Sequence, residues 1–330
     1  MKALIISKVN ESQSGGIEAQ QKLLAQQLEK RNFDVLIVTP HTYQNTLWSK
    51  FSRLIGTFAL NRKVIFEKYD LILVNDPQLT LPAILSALKS GKKVLFSHGW
   101  IFHNRKPKII TIIFTFILRL LSKRYTLISC TSSNDAQLIF DRPNVAVMGN
   151  PVRLAKPTYQ IKLPKSIVVI SRDAPNKNIP LMNKLLLNLL NDGYLENATI
   201  VGTAAANITD HPRISKCPRA SQLDLDNIYK SSQYFLSLSK YEGFGLALIE
   251  AISYGCIPIV SNIEAYQEHS TVINSFIDLN ATYEDNYQSI LKILSSDYNP
   301  ELYQKYVSQY NPDKFVATLL QRLTLLENTP

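Results

Sequence analysis

Ser239-Lys240-Tyr241-Glu242-Gly243-Phe244-Gly245-Leu246-Ala247-Leu248-Ile249-Glu250-Ala251 decides the reading of this chain. The run before it, Tyr234–Leu238, has the composition of a buried strand, and Leu246–Tyr254 reads as a helix, so the segment is a strand, a glycine loop and a helix. Gly243 and Gly245 let the backbone come close to a ligand, and the unpaired N–H groups of a helix start suit anionic or hydroxyl oxygens. Glu250 falls inside the helix beside an otherwise apolar face. A carboxylate there needs hydrogen-bond donors, which sugar or ribose hydroxyls can supply. Two glutamates at this spacing are, taken alone, equally compatible with a carboxylate at a helix start and a surface glutamate.

Working outward, short aliphatic runs alternate with segments of helical period, the pattern of parallel strands joined by crossover helices. Strands are expected at Leu4–Ser7, Val35–Thr39, Leu71–Asn75, Val94–Ser97, Leu127–Thr131 and Val145–Met148, with a helix over Ile17–Lys30. The scheme repeats with strands at Ile167–Ser171, Thr199–Gly202, Tyr234–Leu238 and Ile257–Ser261, helices at Ile179–Asn191 and Leu246–Tyr254, and closing helices at Glu301–Tyr310 and Pro312–Asn328. The fold class is therefore α/β, with two Rossmann-like, doubly wound domains. Asn150 to Pro164, with Pro151, Pro157 and Pro164, is the linker candidate. Such sheets bind ligands at the carboxyl ends of their strands, so residues just after strands matter most, and two such domains facing each other would make a cleft.

Charge is one-sided. Residues 1–150 carry 20 Lys and Arg against 9 Asp and Glu, a net of +11, whereas residues 151–330 carry 16 against 17. The excess points to an anionic partner for the first half, a phospholipid surface, a phosphorylated acceptor or nucleic acid, or else to a well-solvated surface. Cys130, Cys217 and Cys256 are scattered and odd in number, which fits a reducing compartment without a zinc or disulfide framework. The apolar start Met1–Val9 is too short for a signal-peptide core, and the run Ile109–Leu118 is half of the ~20 residues a spanning helix requires. A cytoplasmic protein without transmembrane segments is expected.

The segment from Glu242 to Glu250 resembles the mark of glycosyltransferase family four, a group of GT-B enzymes, in which two glutamates are separated by seven residues after a strand. Ala251, Gly255, Pro258 and Val260 follow in the family's order. The resemblance implies that Glu242 contacts the transferred sugar and Glu250 the nucleotide ribose, with Gly243, Phe244, Gly245 and Leu246 in the donor-binding loop. Ser171-Arg172-Asp173-Ala174-Pro175-Asn176-Lys177 looks like the family's arginine-and-lysine loop, giving Arg172 and Lys177 the task of stabilising charge on a departing diphosphate. Ser14-Gly15-Gly16 resembles its double glycine, so that Gly16 would approach the donor and Gly15 the acceptor. His98, after strand Val94–Ser97, stands where the family carries a histidine near the reacting carbon; His41, His103, His211 and His269 are read as surface or structural. Three departures stand out: Ile170-Ser171 before the arginine, no second glycine in Val201-Gly202-Thr203-Ala204, and Tyr266-Gln267 before Glu268 where glycine is usual.

The likeness covers nearly the whole chain. It implies residues 1–152 as a basic acceptor domain, 153–310 as the nucleotide-sugar domain and 311–330 as a helix packing back on the first. It also implies a hexosyltransferase that retains anomeric configuration by front-face attack, with no metal or other cofactor, serving surface polysaccharide or lipopolysaccharide assembly. Asp224-Leu225-Asp226 is read as a helix cap and not as a metal-binding pair. For a glycan or lipid-linked acceptor, Trp48, Phe51, Ile55 and Phe58 fall on one helical face flanked by Lys50 and Arg53, and Arg105–Arg124 is a second basic segment. Both suit a helix lying on anionic lipid at the cytoplasmic face of the inner membrane, and equally an ordinary core helix with solvated flanks. Two rivals remain, a nucleotide-sugar epimerase of the same fold and a non-enzymatic protein binding anionic ligands. The basic segments lack the interleaved aromatic platforms of RNA binders, so no nucleic-acid partner is expected.

Overall fold

A computed structural model describes residues 1–7, 16–38, 68–75, 91–97, 123–133, 136–137, 143–155, 162–296 and 300–325. Of the sequence candidates, Gly15, His98, Trp48, Lys50, Phe51, Arg53 and Phe58 lie outside the described residues. The chain divides into two compact units, Met1–Val152 with Tyr310–Pro330, and Arg153–Gln309.

The first unit is built on strands β1 (Lys2–Ile6), β2 (Asp34–Val38), β3 (Leu71–Val74), β4 (Lys92–Ser97), β5 (Leu127–Cys130) and β6 (Val145–Val147), with helix α1 (Gly16–Glu29) between the first two. All pairings are parallel, in the order β2-β1-β3-β4-β5-β6. Side-chain alternation splits the strands into two apolar faces. Leu4, Ile6, Ile72, Val74, Leu95 and Ile128 form one core, and Ala3, Ile5, Leu71, Leu73, Val94 and Phe96 form the other with Leu24 and Leu28 of α1. Burial on both faces is what a parallel sheet requires, and it explains the continuous aliphatic run of β3.

The second unit contains β7 (Leu163–Ile170), α2 (Ile179–Asn191), β8 (Asn197–Val201), β9 (Ile214–Cys217), α3 (Gln222–Ser231), β10 (Ser232–Ser237), α4 (Leu246–Ser253), β11 (Ile257–Val260), α5 (Glu264–Gln267), α6 (Tyr283–Leu294) and α7 (Pro300–Val307). Its sheet is parallel in the order β11-β10-β7-β8-β9. The last helix, α8 (Pro312–Leu325), belongs to the first unit, where Phe315, Val316, Leu319 and Leu323 join the core beside α1. Four such side chains contribute roughly 1.5–3 kcal/mol each on burial. Arg31 pairs with Asp313 at 2.8 Å, and Phe315 lies 6.3 Å from Phe96.

Three local differences from the sequence expectations have physical causes. The stretch read as linker to Pro164 ends earlier, because β7 starts at Leu163. Pro164 is tolerated at that strand's second position, where Lys165 takes φ +52 and the pairing with β10 shifts register. The edge strand β9, Ile-Ser-Lys-Cys, has too polar a face to stand out as a strand. Asp224 is not the cap of α3. Ser221 is, and Asp224 closes the capping box three residues on, while Asp226 pairs with Arg153. Among the described residues no helix is long and apolar enough to cross a membrane.

Candidate active site

In the second unit the chain runs from β7 outward to β8 and β9, then returns to place β10 on the other side of β7. The crevice of such a sheet opens at this reversal, outside the carboxyl ends of β7 and β10. The loops leaving those two ends are 171–178 and 238–245, the segments that carry Arg172 and Lys177, and Glu242. Backbone and side-chain bonds stitch them together: the Lys240 N–H donates to Asn176 O at 2.7 Å, and Asn176 Nδ2 donates to Tyr241 O at 3.0 Å. Asn178, at φ +53, turns the chain into α2, a left-handed position that asparagine occupies more readily than most residues.

This stitching brings Lys177 Nζ to 2.5 Å from Glu242 Oε1, with both side chains only 16% exposed. Ser239 Oγ donates to the same oxygen at 2.7 Å, and the Tyr266 hydroxyl at 3.4 Å. All three donors converge on Oε1, and Oε2 of Glu242 accepts no hydrogen bond among the described residues. Burial, with the Glu242 carboxylate beside it, pushes the Tyr266 hydroxyl far above its ordinary pKa, so it remains a donor. Arg172 is exposed and its guanidinium makes no hydrogen bond or ion pair among the described residues. Its loop is anchored from behind: Gly202, at φ +96, packs against the Ser171 carbonyl, and Thr203 Oγ1 accepts from the Asp173 N–H at 2.8 Å.

Gly243, Phe244 and Gly245 lead into α4. Gly245 takes φ +87, and a Cβ there would stand 2.7 Å from Cε1 of Tyr266, so this position requires glycine twice over. Leu246 opens the helix, and Glu250 follows one turn later on the same side. Leu248, Ile249, Ala251 and Ile252 go to the core, while Glu250 Oε2 accepts from the Tyr229 hydroxyl at 3.0 Å. Burial raises the Glu250 pKa against the opposing effects of that bond and of Arg153. Arg153 itself is paired with Asp226 and donates to the Tyr254 hydroxyl at 3.3 Å, and the Tyr229 and Tyr254 rings are stacked at 5.3 Å. The two glutamates thus stand in different electrostatic settings, one against a cation and one among tyrosines.

In the first unit, Gly16 begins α1 after β1, as an exposed residue. The carboxyl edge of that sheet holds a polar row that sequence reading missed. Ile6, Val74, Leu95 and Ile128 are register partners, and one residue further along lie the polar Ser7, Asn75 and Ser129, with the apolar Phe96 of β4 interrupting the row. Asn75 and Ser129 are buried with side-chain polar atoms that have no hydrogen-bond partner among the described residues, as is Gln20 Oε1 on α1, whose Nε2 donates to Asn150. Strand-end serines and asparagines are common turn residues, so only their register reveals them as one row.

Sequence reading also missed Ser239, Asn176 and Tyr266. Tyr266 stood in view as a departure from the glycine usual there, and the structure puts that departure to use on Glu242 and Gly245. Glu268, which follows that departure, offers its backbone carbonyl to the Tyr306 hydroxyl at 3.3 Å. Among the described residues no group of three or more His, Cys, Asp or Glu could hold a metal ion.

Comparison with known proteins places this geometry. The Glycosyltransferase Family 4 model matches residues 14–156 and the Glycosyl transferases group 1 model residues 160–309. A GDP-mannose:cellobiosyl-diphosphopolyprenol alpha-mannosyltransferase of Xanthomonas campestris is 27% identical over 57% of this chain and 54% of its own length. A UDP-Gal:alpha-D-GlcNAc-diphosphoundecaprenol alpha-1,3-galactosyltransferase of Escherichia coli is 24% identical over 64% and 61%. The chain thus spans little more than half the length of these curated relatives. Among solved structures, a glycosyltransferase from Rickettsia africae superimposes with a TM-score of 0.70 at 16% identity, covering 100% of this chain and 99% of its own. A lipopolysaccharide outer core galactosyltransferase gives 0.69 at 13% identity, covering 98% and 99%. With its two parallel sheets, and with one family model on each half, the chain belongs to glycosyltransferase family 4 and has the GT-B fold.

Proposed function

We propose that the chain is a retaining glycosyltransferase that moves a hexose-type sugar from a nucleotide-diphosphate sugar to a glycan or lipid-linked acceptor in surface polysaccharide or lipopolysaccharide assembly. The observation that carries this reading is the Glu242 carboxylate. One oxygen is fixed by Lys177, Ser239 and Tyr266, and the other accepts no hydrogen bond among the described residues, at the switch point of the second sheet. An oxygen held so firmly leaves its twin pre-oriented to accept hydrogen bonds from the hydroxyls of a sugar, at little further entropic cost.

In this mechanism the nucleotide ribose bonds Glu250, which accepts a hydroxyl proton in place of, or beside, the Tyr229 donor. The diphosphate lies toward Arg172 and Lys177 and the first N–H groups of α4. As the glycosidic bond lengthens, negative charge grows on the departing phosphate and these cations and dipoles stabilise it more strongly than in the ground state. The acceptor hydroxyl attacks from the face that the leaving group vacates, and the departing phosphate takes its proton. Configuration is therefore retained without a carboxylate nucleophile. Charge on the leaving group is met by protein cations, so the reading needs no metal. By resemblance to the family, His98 and the Gly15-Gly16 pair are further candidates for donor and acceptor contacts. The acceptor is lipid-linked in this reading, as in the names of the two curated relatives, and the basic segments around Trp48–Phe58 and Arg105–Arg124 bring the enzyme to an anionic membrane surface.

The test is a screen of UDP- and GDP-sugars by thermal shift, followed by transfer assays on the best donor. Glu242→Ala and Lys177→Ala each abolish transfer with the fold intact, and the product's anomeric configuration by NMR matches the donor's. Inversion, or full activity in both variants, refutes the proposal. Flotation with anionic liposomes at low salt tests the membrane contact, which is refuted if binding does not depend on anionic lipid.

A further inference from the structure

His269 is the only fully buried histidine among the described residues, and it stands immediately behind the glycine loop. Its Nε2 lies 3.1 Å from the Phe244 carbonyl oxygen and its Nδ1 lies 2.7 Å from the Tyr306 hydroxyl. The Phe244 and Tyr306 rings meet the imidazole edge-on at 5.3 and 6.0 Å. A carbonyl can only accept, so Nε2 carries the proton and Nδ1 is the acceptor. Tyr306 has one proton, and the 2.7 Å contact to Nδ1 takes it in preference to the Glu268 carbonyl at 3.3 Å.

We propose that His269 is a positioning residue of the donor loop, which holds the Phe244–Gly245 peptide in one orientation and so aims the Gly245 N–H, with Tyr306 of α7 fixing the imidazole. The Phe244 carbonyl and the Gly245 N–H belong to a single planar trans peptide and point in opposite directions. Holding the carbonyl against His269 therefore turns the Gly245 N–H away from the interior. That N–H donates no hydrogen bond among the described residues. It stands at the cap of α4, where the following amides lack helical partners too. Gly245 needs this help because φ +87 is one of several conformations open to glycine, so the loop's own backbone does not select it. The same helix α7 steadies the far end of α4, where Gln304 Nε2 donates to the Ser253 carbonyl at 2.7 Å. The imidazole is neutral in this arrangement, in keeping with burial that depresses its pKa.

The functional meaning of this latch rests on the donor-site reading, and the experiment separates the two. Hydrogen exchange of the whole chain, without nucleotide, is read on peptides covering Tyr241–Glu250 in the wild type, His269→Phe, His269→Gln and Tyr306→Phe, and UDP and GDP affinities are measured by calorimetry. His269→Phe keeps a planar aromatic ring, slightly larger than the imidazole, and removes the donor. It is expected to raise exchange at Leu248 and Ile249, whose N–H groups donate to the Gly245 carbonyl at 3.0 and 3.2 Å, tenfold or more while β7, β8 and α2 are unchanged, and to weaken the bound nucleotide at least tenfold. His269→Gln, whose amide can reach the same carbonyl, stays within about threefold of the wild type, and Tyr306→Phe falls between. A purely structural role would raise exchange throughout Arg153–Gln309. That result, or unchanged loop exchange in His269→Phe, overturns the proposal; should that variant fail to fold, Tyr306→Phe decides by the same readout. A wild type that binds neither nucleotide refutes the donor-site reading, while loop exchange still decides the latch.

Discussion

Acidification should loosen the second unit by an amount that can be worked out from His269 alone. The side chain is wholly buried, and desolvation outweighs the help of the Phe244 carbonyl, so its pKa falls from 6.5 to about 4. The depressed value means that the unfolded chain binds a proton which the folded chain refuses. Stability is therefore fully present above pH 6.5 and is lost as the pH falls toward 4. The shift corresponds to about 3 kcal/mol in all, of which about 2.5 kcal/mol is gone by pH 4.5. Other groups titrate in the same range, so the measurement is a difference. Wild type and His269→Gln are compared at pH 7.5 and 4.5, and the wild-type advantage should shrink by about 2.5 kcal/mol. Both tryptophans, Trp48 and Trp100, lie in the first unit, so their fluorescence reports on the wrong part of the chain. Native-state hydrogen exchange in urea, read on the peptide covering Leu246–Ser253, is the appropriate assay. An advantage that stays constant to within about 0.5 kcal/mol between the two pH values would show that the buried imidazole does not resist protonation, and would refute this reasoning.

Further outcomes follow from other parts of the structure. Gly202→Ala places a Cβ 2.3 Å from the Ser171 backbone oxygen at φ +96, so it should cost at least about 3 kcal/mol and free the Arg172 loop. Thermal denaturation of the variant checks this, and an unchanged melting temperature would contradict it. Lys177→Met leaves the Glu242 carboxylate with hydroxyl donors only, and Glu242→Gln leaves a cation at 16% exposure, so each should destabilise, while the double variant should recover about 1.5–3 kcal/mol in a mutant cycle. Additive losses would mean that the pair is not coupled. Asn75→Leu removes two buried polar atoms that have no hydrogen-bond partner among the described residues, keeps the side chain's branching and heavy-atom count, and should raise stability by about 1–3 kcal/mol. A fall in melting temperature would show that this amide has a partner, such as an internal water.

The legible part of the fold was the part dictated by alternation under burial on both faces. Leu71–Val74 and Leu127–Cys130 could hardly be anything but central strands, and the second-unit strands around Ile167 and Tyr234 were found to within a few residues. What escaped was half-buried. The strand Ile214–Cys217 shows one polar face at the sheet's edge, and the helix Tyr283–Leu294 mixes buried Tyr287, Ile290 and Ile293 with a charged outer face. At the site, Glu242, Lys177 and Arg172 could be read because they match the motifs of the family that the chain resembles, whereas charged residues in loops after strands are otherwise usually solvated. Ser239 and Tyr266 could not, since a serine after a strand and a tyrosine on a short helix have bland explanations until a carboxylate is found between them. Likewise, no feature of Glu268-His269-Ser270 signals that the imidazole will face a carbonyl twenty-five residues back.

The two glutamates are separated by seven residues, yet that spacing explains only half of what sets them apart. It carries the chain through the glycine turn and one helical turn, so both carboxylates reach the same end of the sheet. Their surroundings then diverge. Glu242 meets Lys177 and two hydroxyls, which fix one oxygen, whereas Glu250 meets Tyr229 in a setting whose desolvation works against charge. A group that is already compensated can accept a hydroxyl without much change in its own energy. A group that is under-solvated gains more when a hydroxyl arrives, because the ligand restores hydrogen bonds which burial removed. Under the proposed function this asymmetry separates two tasks: Glu250 contributes chiefly to holding the nucleoside and Glu242 to orienting the sugar. Glu250→Gln should therefore act mainly on nucleotide affinity, and Glu242→Gln mainly on turnover. Calorimetry with nucleotide alone distinguishes the two, and an equal loss of affinity in both variants would remove the distinction.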